Sequence, residues 1–158
     1  YEDNEDDCPK ECSKCAISIK TDGDIALAQN SLDEAIKNYK KAISLNYDIS
    51  DLHLNLGLCY KSVNNQKEAI KALTKAAELS PPSEEIQYEL AESYFQLQDY
   101  ENAEKLLLYL NNNSQSNKKA KIEEMLNAIK AQKEEAAADS ENESQTTDND
   151  DSDESTEN

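Results

Sequence analysis

The residues with the clearest chemical potential are three cysteines in the spacing Cys8-x3-Cys12-x2-Cys15. Three thiolates so spaced can hold a [4Fe–4S] cluster and leave one iron open. They can also start a zinc site, but a structural zinc takes four ligands and no histidine stands nearby. The same residues suit packing. Cys8, Cys12, Cys15 and Ile19 fall at i, i+4, i+7 and i+11, one stripe of a helix on which cysteine acts as a small apolar side chain. A disulfide is the third reading and belongs to an oxidising compartment. The helical stripe is the simplest of these, the disulfide follows, and a metal or redox role comes last.

Other catalytic constellations fail on inventory. Radical enzymes that use S-adenosylmethionine carry a similar cysteine loop in a β/α barrel, and nothing in this chain supplies the strands. His53 is the one histidine, so any Ser–His–Asp or Cys–His arrangement depends on it. The two glycines, Gly23 and Gly57, are far apart, which excludes a glycine-rich phosphate loop. Asp22-Gly23-Asp24 lacks the further spaced ligands of a calcium loop. Carboxylates number 34 in 158 residues, so close pairs arise by chance. The expectation is a protein that is not an enzyme and takes no cofactor and no metal.

The charge is unevenly distributed along the chain. The net −18 divides into −4 over residues 1–15, −6 over 16–117, +1 over 118–135 and −9 over 136–158. All 16 basic residues are lysine, so no guanidinium fork is available for phosphate. A pI near 4.3 argues against nucleic acid as a partner. The longest apolar run, Leu106 to Leu110, is far short of the ~20 residues of a membrane span. Residues 138–158 contain no aromatic, Leu, Ile or Val and are expected to be disordered, as a solubilising tail. Ser140 and Thr147 have acids three residues on, a pattern an acid-directed kinase would accept.

The interior carries a period of 34. It links Gly23, Gly57 and Ala91; Ala35, Ala69 and Ala103; Tyr39, Leu73 and Leu107; Ala42, Ala76 and Leu110; and Tyr60 with Tyr94. Such a period marks stacked supersecondary units. Within a unit the apolar spacing is helical, as in Leu32, Ala35, Ile36, Tyr39, Ala42 and Ile43. Breaks fall near Asn30-Ser31, Asn46, Asn64-Asn65, Pro81-Pro82 and Gln98-Asp99, which divides each unit into two helices. A helical glycine costs about 0.5–1 kcal/mol relative to alanine. Two at one register predict close approach of paired helices, with Ala35, Ala69 and Ala103 facing them.

These residues resemble the tetratricopeptide repeat family. Residues 50–83 match at Leu56, Gly57, Tyr60, Ala69, Leu73, Ala76 and Pro81, and residues 84–117 at Leu90, Ala91, Tyr94, Tyr100, Ala103 and Leu107. Residues 16–49 match at Gly23, Ala35, Tyr39 and Ala42 but carry Asp22 in the leucine slot and Ala26 in the tyrosine slot. The resemblance implies an all-α, right-handed solenoid of three helix-turn-helix repeats (16–49, 50–83, 84–117). An acidic segment, 1–15, precedes them. The stripe Ile122, Met125, Leu126 and Ile129 gives 118–137 as an amphipathic capping helix.

The resemblance also implies a concave groove lined by the first helix of each repeat. By register it presents Lys20, Asp24, Leu54, Asn55, Leu58, Lys61, Tyr88, Glu89, Glu92 and Phe95. One branch of the family clamps acidic chaperone tails with three cations and two asparagines. Lys20 and Asn55 match that clamp, whereas Asp24, Glu85 and Glu89 replace the other members. The expected partner is therefore an apolar peptide segment carrying basic residues, and the expected function a scaffold or adaptor. An acidic chaperone of basic clients, using repeats and tail together, is the alternative. Cytoplasm is the expected compartment. Sequons at Asn112 and Asn142 and the cysteine cluster keep the secretory pathway as the alternative. The chain starts at Tyr1 rather than Met, so the lack of a signal-peptide pattern carries no weight.

Overall fold

A computed structural model describes residues 13–81, 83–113 and 117–144. Cys8 and Cys12, Thr147 and residues 145–158 lie outside them, as does the expected disorder of that stretch. The elements are α1 (Ser13–Ala28), α2 (Leu32–Ser44), α3 (Ser50–Ser62), α4 (Gln66–Leu79), α5 (Glu84–Gln96), α6 (Tyr100–Asn113) and α7 (Lys119–Ser144). All are helices. They form three antiparallel pairs and a single closing helix, the all-α solenoid that the 34-residue period implies. α7 runs seven residues past its expected end at 137. Ala136 to Ala138 lack packing residues but are good helix formers, which carries the helix on.

Each first helix ends by the same device. Asn30, Asn64 and Gln98, spaced by 34, have φ near +60°. The following amides close six-residue loops: Ser31 N to Ala26 O at 2.8 Å, Asn65 N to Tyr60 O at 2.8 Å and Asp99 N to Tyr94 O at 3.0 Å. This left-handed cap satisfies carbonyls that the helix end leaves open, and asparagine tolerates its backbone better than most residues. The second helix then starts at once. Asn65 and Asp99 each accept an amide of the new helix, from Glu68 at 3.4 Å and Asn102 at 3.3 Å.

The glycine register is explained by packing. A Cβ on Gly23 would lie 2.8 Å from the Tyr39 ring, and one on Gly57 would lie 2.7 Å from Leu73 Cγ. Tyr39 and Leu73 are fully buried, so neither has free space to yield into. The close approach is as expected, but the pressing atoms come from Tyr39 and Leu73. The recurring alanine contributes less: Ala69 meets Gly57 through its carbonyl at 3.5 Å.

Two apolar clusters result. One joins the first two pairs through Tyr39, Leu52, Leu56, Cys59 and Tyr60. The other joins α5, α6 and α7 through Tyr88, Leu107, Leu110, Ile122, Met125 and Ile129. α7 therefore covers the last pair with its first three turns. The departures of the first repeat also make sense. Leu56 and Leu90 are buried, while Asp22 at their register lies on α1's exposed face. Ile25 is 50 % exposed where Cys59 and Ser93 are fully buried.

Candidate functional site: the inner row of helices

α1 touches α3 and α3 touches α5, so the first helices of the pairs form one continuous inner row. Their groove-register side chains meet in two polar hubs. The first centres on a carboxylate. Asp24 accepts from Lys20 Nζ at 2.7 Å, from the Tyr39 hydroxyl at 2.8 Å and from Asn55 Nδ2 at 3.1 Å. Lys20 also reaches Asp51 across to α3, at 2.8 Å. Burial alone would raise the Asp24 pKa, but the bonds from Lys20, Tyr39 and Asn55 outweigh it and leave it lowered. Burial would lower the Lys20 pKa, and its two carboxylate partners leave it raised instead. For Tyr39, burial first and the bond to Asp24 second push the hydroxyl up.

The second hub centres on an ammonium. Lys61 on α3 bonds Oε2 of both Glu89 and Glu92 on α5, the latter at 2.6 Å. The other oxygens face the end of the solenoid. Glu89 Oε1 lies 3.6 Å from Lys118 Nζ, and Glu92 Oε1 lies 3.2 Å from Lys121 Nζ. Lys118 Nζ also sits 4.1 Å from the centre of the Tyr88 ring, with Lys121 Nζ at 6.0 Å. Burial opposes charge on Glu92 and Lys61, yet the bond from Lys61 leaves the Glu92 pKa lowered, and the bonds to Glu89 and then Glu92 leave the Lys61 pKa raised.

The structure thus brings nine of the ten expected groove residues to the inner row with some exposure. Leu54, Leu58 and Phe95 are half-buried, as are Lys20, Asp24, Asn55, Lys61, Glu89 and Glu92. Tyr88 is the correction. It is only 4 % exposed: it packs into the second apolar cluster, with Lys118, 30 residues downstream, over its ring. The acids also differ from the expectation of open, partner-seeking charges, since Asp24, Glu89 and Glu92 are each paired internally. Sequence reasoning missed the Tyr39 hydroxyl, Lys118 and Lys121. The signal for the lysines was present: of the four segments into which the net charge divides, 118–135 alone is positive.

Away from this row, His53 is 7 % exposed and bonds Asp48, a packed position rather than an exposed one. Cys59 is buried, and burial pushes its thiol up to about 11, far from nucleophilic at neutral pH. Cys15 lies within α1 and is disulfide-bonded, so the helical and disulfide readings both apply at that residue. Among the described residues no group of three His, Cys, Asp or Glu is placed to hold a metal, and no helix is long and apolar enough to cross a membrane.

Comparison with known proteins agrees with the architecture. A tetratricopeptide repeat model matches residues 64–121. The chain therefore carries a tetratricopeptide repeat region. A second model, regulator of microtubule dynamics protein 1-3, matches residues 26–85. No curated protein matches in sequence. Among solved tetratricopeptide repeat structures, yeast Tom70 is similar at a TM-score of 0.71 and 29 % identity, over 82 % of this chain. This chain spans only 26 % of that one. The first repeat domain of Spaghetti (RPAP3), bound to the HSP90 peptide SRMEEVD, is similar at 0.65 and 22 %, over 75 % of this chain and 93 % of that one. The Yersinia enterocolitica type III secretion chaperone SycD, in complex with a peptide of the translocator YopD, is similar at 0.64 and 20 %, over 73 % and 92 %.

Proposed function

We propose that this protein is a non-enzymatic adaptor whose inner row of helices binds an extended segment of a partner protein. The observation that carries the reading is the pairing of half-buried Leu54, Leu58 and Phe95 with two hubs of fixed charge on one continuous face. The apolar side chains supply burial energy, and the hubs hold polar groups in fixed positions at little further entropic cost. Two similar structures hold peptides, which supports use of this fold for the same purpose.

The partner differs from an acidic chaperone tail. Asp24 sits among Lys20, Asn55 and Tyr39 as a carboxylate supplied by the chain itself. Glu85 and Glu89 stand where a clamp by resemblance needs cations. An apolar segment with lysine or arginine suits the remaining charge. The compartment proposed is the cytoplasm, with the secretory lumen, where a disulfide would persist, as the alternative.

Selection from a random peptide library on the full chain and on Leu58→Glu tests this reading. Enriched peptides carry apolar residues beside Lys or Arg, and Leu58→Glu weakens them at least ~10-fold while leaving helix content intact. Enrichment of acidic C-termini, or indifference to Leu58→Glu, contradicts it.

A further inference from the structure

We propose that the start of α7 is a built-in competitor for the groove: Lys118 and Lys121 occupy, in the free protein, the place that a partner's lysine takes over Tyr88 between Glu89 and Glu92. The proposal deepens the groove reading and rests on it for the identity of the partner as a protein segment.

The division of carboxylate oxygens carries the argument. Oε2 of Glu89 and of Glu92 both go to Lys61, whose side chain is 15 % exposed and reaches them from the neighbouring repeat. Those bonds fix the two carboxylates. Oε1 of each faces instead the entry to α7, where the side chains of Lys118, just before the helix, and Lys121 are 36 % and 61 % exposed. Two carboxylates against the one charge of Lys61 leave a net −1 among these three groups, and their outer oxygens attract further cations. The repeats do not supply them. The entry to α7 does, through exposed pairs of the kind that exchange readily and contribute little to stability.

Tyr88 shows what the cation should be. An ammonium 4.1 Å from its ring centre gains from the ring face and from Glu89 at once. A compact ammonium on a flexible stem fits this arrangement, and a lysine side chain is its ordinary source. The Asp24 hub differs in its partners: Asp24 takes its donors from α1, α2 and α3, and Asp51, the second partner of Lys20, is 61 % exposed.

The test uses n-butylammonium chloride as the probe and the Tyr88 ring proton shifts as the readout. In full-length Lys118→Gln/Lys121→Gln the shifts should titrate saturably, at least ~5-fold tighter than in the unaltered chain. 1-Butanol and sodium chloride should not reproduce them. An absence of saturable shift in the double variant, or equal titration of both proteins, overturns the proposal. Lys118→Ala/Lys121→Ala, with helix content checked, gives the same reading should the glutamines restore hydrogen bonds. Peptides selected on the groove should bind the double variant ~5-fold tighter, and unchanged affinity counts against the proposal. The butylammonium arm stands even if no peptide is selected, so failure of the groove reading is separable from failure of this one.

Discussion

The two halves of the inner row solve the same electrostatic problem in opposite ways. In the first half one carboxylate, Asp24, is surrounded by donors from three helices of the first two repeats. In the second half one ammonium, Lys61, is shared by two carboxylates, and balance is completed from outside the repeats by α7. The first hub is closed by the solenoid itself. The second is closed by a helix that also serves as the cap. A solenoid transmits contacts only between neighbours, so the last repeat depends on α7 for both its apolar cover and its charge. The first two repeats do not.

Removal of residues 118–158 breaks this comparison most severely. It strips Ile122, Met125 and Ile129 from the second cluster, and each such side chain is worth up to about 1.5–3 kcal/mol when fully buried. Amide exchange protection is expected to collapse across α5 and α6 while α1 to α4 keep most of theirs. Equal loss everywhere would show that the two clusters are one cooperative unit.

Asp24→Ala acts on the first half. It leaves the hydroxyl of fully buried Tyr39 without its carboxylate partner, at a cost of about 1–3 kcal/mol. Thermal denaturation should show the loss. Glu92→Ala should cost less, since Lys61 keeps Glu89 and Lys121 is exposed.

Acid titration sharpens the comparison. Asp24 and Glu92 both have pKa values lowered from 3.8 and 4.5. Depressed carboxylates contribute stability that is fully present above those ordinary values and is lost as pH falls through the folded ones. The urea midpoint of the unaltered chain should therefore drop as pH falls below about 4. Asp24→Asn and Glu92→Gln should each flatten that drop. Adding salt should weaken the Glu92 contribution more, because its α7 partner is exposed.

The smallest effect concerns the repeated caps. Asn30 and Asn64 adopt the left-handed backbone that Gln98 adopts at the same register. Gln98→Asn should stabilise the third repeat by a few tenths to ~1 kcal/mol, read as a rise in thermal midpoint. A fall would mean that the Gln98 side chain makes a contact worth more than the backbone preference.

The fold was legible because it is written in local and repeated terms. Gly23, Gly57 and Ala91 mark one crossing three times, and the breaks at Asn30, Asn64 and Gln98 mark one cap three times. The groove was legible only as a register. Which residues share it follows from period, but what each pairs with does not. Asp24 meets Tyr39 and Asn55 at sequence distances of 15 and 31, and Tyr88 is covered by Lys118. Those contacts depend on the superhelical stacking of whole repeats and on where α7 enters, neither of which a 34-residue pattern specifies. Cys15 illustrates the same limit, since its stripe places it on a helix without showing that it also forms a disulfide.

The central claim is that the inner row is the binding surface. Backbone amide shift mapping of the full chain with a library-selected peptide tests it most directly. The account predicts the largest shifts at the inner-row positions Leu54, Asn55, Leu58, Glu89, Glu92 and Phe95, with smaller ones at Lys118 and Lys121 as they are displaced. Shifts confined to α2, α4 and α6 would contradict it.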